Sequence, residues 1–203
     1  MVAKMKDKNS TWRVCAESQI SIAYKTIDAL CDQKVEQLIE LISKEDGDLF
    51  FTGIGKNSHV AKKTASTFSS LGINSNFICP VEAVHGEMTN VNSGSKIVAI
   101  SKSGKTSELK YFLHKLKETK KDSTIIMIHA NHNLVESCDY YDFGFLLDVE
   151  GEGHEYGVVP ITSISLFTIF LQSIGIHISQ ARGFTLEKFL LNHPGGEIGK
   201  IIL

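Results

Sequence analysis

The chain has 203 residues and a formal net charge of −2, with 21 basic and 23 acidic side chains interspersed along its length. This length suits one domain, and the absence of a basic stripe argues against nucleic acid and for a small anion as the partner. We therefore expect a single domain over residues 1–203, with N-terminal helices over about 11–45 and a ligand-binding core over about 48–203.

The cysteines and the apolar runs indicate the compartment. Four widely spaced cysteines form no CxxC pair, which is typical of reduced, mostly buried thiols and predicts a cytoplasmic protein. They are Cys15, Cys31, Cys79 and Cys138. No apolar signal core follows the basic start of the chain. The most apolar run, 158–178, contains Pro160 and several polar side chains, so it predicts a buried core helix rather than a membrane span.

Apolar runs and helical periodicities alternate along the chain after residues 1–10, which are polar and are predicted to be frayed. Helices are predicted over 12–30, 35–42, from the turn at 53–59 to 71, 109–116, 134–138, 160–182 and 186–191. Strands are predicted over 49–51, 76–79, 97–100, 124–129 and 143–149. This order predicts an α/β fold with a parallel sheet covered by helices on both faces. The loops that follow its strands should gather at one edge and form one pocket.

A loop rich in hydroxyl groups follows the strand 97–100. It consists of Ser101, Lys102, Ser103, Gly104, Lys105, Thr106 and Ser107. A helical pattern begins directly afterwards, and the first N–H groups of a helix, together with its dipole, attract anions. The sequence therefore predicts phosphate binding by Ser101, Ser103 and Thr106. The alternative is that these residues only form the turn and cap the helix.

A second turn between a strand and a helix, residues 53–59, contains two glycines and a lysine. Gly53 and Gly55 lack the third glycine of a dinucleotide fingerprint, and no acidic residue ends the next strand, so no nicotinamide cofactor is expected. Lys56 is placed to offer a point charge to a phosphate or a sugar oxygen, or else it is a solvated surface lysine.

Four further polar residues are candidates for proton transfer or binding. Glu108 falls in the first turn of a helix, where the dipole alone favours a carboxylate. Glu152 lies among three glycines and is also explained as part of an acidic surface loop. His85 follows a strand, and Pro194 holds His193 in a non-helical position. No HExxH pattern or cysteine cluster supports a metal site, so no metal and no other cofactor is expected.

Five segments of the chain resemble the sugar isomerase (SIS) family, and within it the D-arabinose-5-phosphate isomerases. They are GIGKNSH at 53–59, PVEAVHGEM at 80–88, AISKSGKTSE at 99–108, GVVPITS at 157–163 and ARGFTLEKFLLNHPGGEIGK at 181–200. The last segment is the most specific for these isomerases within the SIS family. The resemblance begins at Gly53 and covers about three quarters of the chain.

This resemblance implies a three-layer α/β sandwich with a five-stranded parallel sheet, the SIS fold. It also implies a homotetramer with its active sites at subunit contacts. The implied reaction interconverts D-ribulose 5-phosphate and D-arabinose 5-phosphate, a precursor of the sugar Kdo of lipopolysaccharide or capsule, without a cofactor. The expected partner is a small phosphosugar, with no nucleic acid and no membrane.

By position, the resemblance assigns two sets of site residues. The catalytic set is His193, Glu152, Glu108 and Lys56, and the substrate-binding set is Gly55, Ser58, His85, Ser101, Ser103 and Thr106. In related enzymes the histidines reach the site from a neighbouring subunit. We expect His193 to be the base, because imidazole is near half-protonated around neutral pH. Glu152 and Glu108 are candidates for ring opening and hydroxyl proton transfer, and Lys56 for polarising an oxygen.

Three departures from the family pattern concern the pocket. Lys105 stands where many relatives carry glutamate, Asn57 replaces a small residue, and HEY at 154–156 replaces a small, proline-containing sequence after Glu152. The chain also stops shortly after HPGG, so we expect the SIS domain alone, without paired regulatory cystathionine-synthase-type modules. Two alternatives remain open: an isomerase for another phosphosugar such as a hexulose 6-phosphate, and a non-catalytic phosphosugar sensor.

Overall fold

The computed structural model describes residues 11–44 and 47–201, and a parallel sheet of five strands lies at its centre. The strands are β1 (Leu49–Gly53), β2 (Ser75–Phe77), β3 (Lys96–Ile100), β4 (Thr124–His129) and β5 (Phe143–Leu146), in the spatial order β2-β1-β3-β4-β5. Neighbouring strands all run parallel. The predicted α/β fold with a five-stranded parallel sheet is therefore confirmed.

Helices cover both faces of the sheet and complete a three-layer sandwich. They are α1 (Thr11–Asp28), α2 (Asp32–Ser43), α3 (Lys56–Ser70), α4 (Pro80–Ala83), α5 (Ser107–Thr119), α6 (Thr162–Ala181) and α7 (Leu186–Leu191). Side chains alternate along β3, so Val98 and Ile100 enter the core shared with α2, α3 and α6, whereas Ile97 and Ala99 enter the core shared with α4 and α5. Burial on both faces explains why the inner strands β1, β3 and β4 are mostly apolar.

The predicted elements agree with the observed ones to within a few residues, and the principal exception is the segment 134–138. The predicted helix there is wrong, because this segment forms turns and leads into an isolated β-bridge between Cys138 and Tyr141. The Cys138 N–H donates to the Tyr141 carbonyl at 3.0 Å, and the Gly144 N–H donates to the Glu136 carbonyl at 2.6 Å. These bonds tie the segment to the edge of the sheet in place of helical i→i−4 bonds. Residues 1–10, predicted to be frayed, lie outside the described residues.

The most apolar helix, α6, belongs to the core. Its length and composition are sufficient to cross a membrane, which holds for no other helix within residues 11–44 and 47–201. However, 56% of its apolar stretch is buried inside the fold. Leu166, Phe167 and Leu171 are buried in the core that α6 shares with the sheet. The structure thus agrees with the core helix predicted from the run 158–178.

A buried histidine at the end of β4 makes the stability of the fold depend on pH. His129 is 3% exposed, and burial lowers its pKa from 6.5 to about 4. The folded protein keeps His129 neutral, whereas the unfolded chain takes up a proton below pH 6.5, so stability is lost as the pH falls. We expect this residue to lower the free energy of unfolding by about 2 kcal/mol between about pH 7.5 and pH 5.

Urea unfolding across this pH range measures the effect. The matched variant is His129→Asn, whose amide oxygen can accept the hydrogen bond that the Asn131 N–H now donates to His129 Nδ1 at 3.3 Å. The wild-type protein should lose more stability than the variant as the pH falls. Equal pH dependence in the two proteins would show that burial of His129 does not control it.

Candidate functional site

The loops that follow β1 and β3 lie side by side at the carboxyl edge of the sheet. In the order β2-β1-β3-β4-β5, the chain leaves β1 for β2 on one side, while β3 lies on the other side. Ligands of parallel α/β proteins bind in the crevice where such connections diverge. The two loops are residues 54–55, which lead into α3, and residues 101–106, which lead into α5.

The hydroxyl loop, defined as residues 101–106, is shaped by its own hydrogen bonds. The Gly104 N–H donates to Ser101 Oγ at 3.1 Å, and the Lys105 N–H donates to Ser103 Oγ at 3.1 Å. The two serine oxygens thus accept bonds from the backbone, and the Ser103 hydroxyl keeps its hydrogen to donate. Ser101 Oγ lies 3.4 Å from Thr106 Oγ1, where one of the two hydroxyl groups donates to the other. The loop therefore offers hydroxyl donors next to the first turn of α5, as an anion requires.

Two glycines allow the site to take this shape. Gly104 has a φ of +65°, where a Cβ would also overlap the side chain of Leu134. At Gly53, a Cβ would lie 3.0 Å from the Ile100 carbonyl oxygen and 2.9 Å from the Asn57 carbonyl oxygen. Only glycine therefore lets the start of α3 approach the end of β3 so closely.

A cavity of about 540 Å³ opens between the hydroxyl loop and the loop that follows β4. Its walls are Asn57, residues 101–103, residues 105 and 106, and residues 130–133. Ser101, Ser103 and Thr106 therefore line one cavity, whose volume suits a small ligand. Asn57 also lines this cavity, and its buried Oδ1 has no hydrogen-bond partner within the described chain.

Lys56 begins α3 next to this cavity. It is exposed, and it follows Gly55, whose φ of +60° turns the chain into the helix. The Ser58 hydroxyl donates to the Gly55 carbonyl at 2.7 Å, which closes this turn. The predicted binding residues Gly55 and Ser58 thus shape the turn, while the exposed Lys56 is available to a ligand.

Glu108 lies in the first turn of α5, directly after the hydroxyl loop. Its own backbone N–H and the Ser107 hydroxyl, which donates to Glu108 Oε2 at 2.8 Å, lower the pKa of this exposed carboxyl group. The side chain is therefore ionised near neutral pH and remains open to solvent. It can accept a hydrogen bond from a sugar hydroxyl.

Glu152 is buried, not part of an acidic surface loop, since only 1% of the residue is exposed. Its Oε1 accepts bonds from Lys102 Nζ and from the Ser163 hydroxyl at 2.7 Å. Its Oε2 accepts bonds from the backbone N–H groups of Ile161 at 2.8 Å and of Ser163 at 3.1 Å. Burial by itself raises the pKa of Glu152, but the bonds from Lys102, Ser163 and Ile161 lower it overall. The carboxylate caps the start of α6, is ionised, and has two donors on each oxygen.

The two candidate histidines are not part of the hydroxyl loop and belong to other segments of the fold. His85 is exposed in the turn after α4, beyond the carboxyl end of β2. His193 lies at the opposite end of α3 from Lys56, where its Nε2 is 3.2 Å from the Ser70 hydroxyl. Lys56 and Ser70 are 14 positions apart on α3, so these two helix ends are about 21 Å apart. One chain therefore does not bring His193 to its own Lys56.

The contacts of His193 define which ring nitrogen is basic. Its Nδ1 lies 2.8 Å from the Phe189 carbonyl oxygen, and its ring stacks on that of Phe189 with 4.1 Å between centroids. A carbonyl oxygen can only accept, so Nδ1 carries the hydrogen and Nε2 keeps its lone pair. The basic nitrogen faces the hydroxyl of Ser70.

The four cavity-wall residues that follow β4, residues 130–133, were not predicted as site residues. Asn131 and His132 follow β4, and the Asn131 amide donates to the Ser103 carbonyl at 2.8 Å. His132 lines the cavity, and its Nε2 lies 2.6 Å from Asp148 Oδ1. Asn131 and His132 could have been predicted, because they follow a strand of the parallel sheet, as do the loops selected from the sequence.

Comparison with known proteins matches residues 41–173, more than half of the chain, to the SIS domain. The chain is 30% identical over 176 residues to arabinose 5-phosphate isomerase KdsD of Salmonella typhi, covering 85% of this chain and 53% of that protein. The chain thus spans about half the length of the curated relatives it matches.

Solved structures agree with this assignment. Protein c3406 of E. coli CFT073, in complex with arabinose 5-phosphate, superposes with a TM-score of 0.83 at 26% identity, covering 90% of this chain and 95% of that one. Protein MJ1247 of Methanococcus jannaschii, inferred to be a 3-hexulose-6-phosphate isomerase, gives a TM-score of 0.67 at 21% identity, covering 89% and 95%. The latter likeness concerns the fold alone. Together with the match over residues 41–173, these findings show that the chain belongs to the SIS-domain family.

Proposed function

We propose that the chain is an aldose–ketose isomerase that interconverts D-ribulose 5-phosphate and D-arabinose 5-phosphate. The observation that carries the proposal is the cavity in which Ser101, Ser103 and Thr106 surround the start of α5, an arrangement suited to the phosphate of a small sugar. The relatives named as arabinose 5-phosphate isomerases and the c3406 complex with arabinose 5-phosphate support this choice of substrate. The product would supply Kdo synthesis for lipopolysaccharide or capsule in the cytoplasm.

The reaction moves one proton between C1 and C2 and needs no net oxidation. A base takes the proton from C2 of the aldose, an enediolate forms, and a proton is delivered to C1 while the hydroxyl proton passes between O1 and O2. We assign the carbon proton to Nε2 of His193 and the hydroxyl proton to Glu108. Lys56 stabilises the negative charge that develops on the oxygen. Glu152 is a poorer acid or base, because it must first release one of its four donors.

This assignment requires an oligomer, which we propose is a homotetramer, in which His193 serves the site of a neighbouring subunit and His85 lines the same site. Exposed apolar side chains support such contacts. Leu191, two residues before His193, is 80% exposed, and Val158 is 79% exposed. Exposed apolar groups are typical of surfaces that a partner covers when they cluster, as Val158 does with the exposed Tyr156 and Val159. A subunit that packs on Leu191 would also meet His193.

Turnover of the purified protein with both 5-phosphates, measured in both directions, tests the proposal. We expect conversion of ribulose 5-phosphate and arabinose 5-phosphate, and about tenfold or more lower kcat/KM with a hexulose 6-phosphate. The Lys56→Ala protein, prepared identically, controls for contaminating isomerase. Preference for the six-carbon sugar would favour the other isomerase, and tight phosphosugar binding without turnover would favour a sensor.

A further inference from the structure

Lys102 connects the hydroxyl loop to a buried carboxylate. It lines the phosphate cavity, and its ammonium donates to Glu152 Oε1. The Lys102 side chain is 39% exposed, whereas the Glu152 side chain is 0% exposed. An ammonium group has three N–H donors, so two remain after the bond to Glu152. The resemblance to known isomerases assigned no role to this lysine.

Glu152 is fixed independently of Lys102. Its Oε2 accepts the backbone N–H groups of Ile161 and Ser163, and the Ser163 hydroxyl donates to Oε1. The Thr162 hydroxyl also donates to the Glu152 carbonyl oxygen at 2.8 Å. These groups form the first turn of α6, whose dipole favours a carboxylate at that place. Glu152 is therefore an anchor, and Lys102 is the partner with freedom to reach the cavity.

We propose that Lys102 is a phosphate-binding residue and that Glu152 is a positioning residue that holds its ammonium beside the hydroxyl loop. That the ligand is a phosphosugar rests on the proposed function. The phosphate contact of Lys102 rests only on the hydroxyl loop and on the ion pair with Glu152. The cavity already supplies the hydroxyl groups of Ser101, Ser103 and Thr106. Lys102 adds a charged donor, which binds phosphate more strongly than a neutral hydroxyl does.

The competing explanation is that Lys102 only neutralises a buried charge. The two roles predict opposite signs for one variant. A carboxylate near a phosphate repels it, so removing the charge of Glu152 alone should strengthen phosphate binding. If Glu152 positions Lys102, the same change should weaken phosphate binding, because the ammonium is no longer held at the loop.

The experiment compares Lys102→Met, Lys102→Arg and Glu152→Gln with the wild-type protein. Calorimetric titration with inorganic phosphate gives Kd, steady-state turnover gives KM and kcat, and thermal unfolding checks the fold. The matched control is Lys117→Met, which removes a lysine paired with Asp142 in the last turn of α5. That ion pair lies at the opposite end of α5 from the hydroxyl loop.

We expect Lys102→Met to weaken phosphate binding and raise KM by about tenfold or more, with kcat changed by less than about threefold. Lys102→Arg should recover most of this loss, Glu152→Gln should weaken phosphate binding, and Lys117→Met should change neither Kd nor KM. If Glu152→Gln does not fold, the comparison of Lys102→Met with Lys102→Arg tests the proposal.

Unchanged phosphate affinity and KM in Lys102→Met would overturn the proposal, as would tighter phosphate binding by Glu152→Gln. Failure of the wild-type protein to bind phosphate would also overturn it. Phosphate binding that depends on Lys102, in a protein without phosphosugar turnover, would refute the proposed function and leave this inference standing. Turnover that is insensitive to Lys102 would overturn this inference and leave the proposed function standing.

Discussion

A mixture of His193→Ala and Lys56→Ala subunits should regain activity that neither variant has alone. Each single variant should lose about 10²- to 10⁴-fold in kcat, because one lacks the base and the other lacks the cation. In an equal mixture, about one site in four combines an intact Lys56 from one subunit with an intact His193 from another. We therefore expect about a quarter of wild-type turnover in the mixed oligomers.

Co-expression with two different affinity tags and purification through both tags provides the mixed oligomers. The control is the homogeneous His193→Ala protein, in which solvent deuterium incorporation into ribulose 5-phosphate should also be lost, since exchange requires the base. Near wild-type exchange in that protein would assign the base to another residue. Mixed oligomers as inactive as either parent would show that each site is built from a single chain.

Phe68→Ala should cause the largest loss of stability in the core that supports the site. Phe68 is completely buried on α3, its ring centroid lies 4.9 Å from that of Phe51 on β1, and Gly175 of α6 faces it. A Cβ on Gly175 would lie 2.6 Å from the Phe68 ring, so Gly175 has no side chain with which to refill the space. We expect the free energy of unfolding to fall by about 3–5 kcal/mol.

Equilibrium unfolding in urea measures this change. Tyr111→Ala is the matched control, because it truncates an aromatic ring that is 55% exposed on α5. The control should lose less than about 1 kcal/mol. Similar losses in both variants would contradict the central role of the contact between α3 and α6.

The sheet, and the edge at which its loops gather, were predictable because the sequence patterns that specify them are local. The apolar run 97–100, followed by hydroxyl groups and then a helical pattern, specifies strand, loop and helix without distant contacts. A parallel sheet then brings the loops after its strands to one edge. The cavity agrees with this rule, because Asn57 after β1, the hydroxyl loop after β3 and residues 130–133 after β4 line it together.

Other features depend on contacts between distant segments and carry no local signal. A glycine-rich acidic loop is typical of a surface, yet Glu152 is buried because α6 and Lys102 supply four donors. Likewise, the position of His193 depends on where α7 packs. No periodicity in the sequence predicts that this brings His193 beside Ser70. The segment 134–138 failed as a helix because the Glu136 carbonyl accepts a bond from the Gly144 N–H of β5, and the Cys138 N–H donates to the Tyr141 carbonyl.

The length of α3 matters for the proposed active sites as well as for the stability of the fold. One end of this helix presents Lys56 to its own cavity, and the other end holds His193, which we assign to a neighbour's cavity. The length of α3 then sets the distance between two reaction centres, so its number of residues matters in addition to the identity of buried residues such as Phe68. A single inserted residue would turn one end by about 100° and shift it by about 1.5 Å. Exposed positions such as Lys62 and Ser66 are free to vary, whereas the count from 56 to 70 is not.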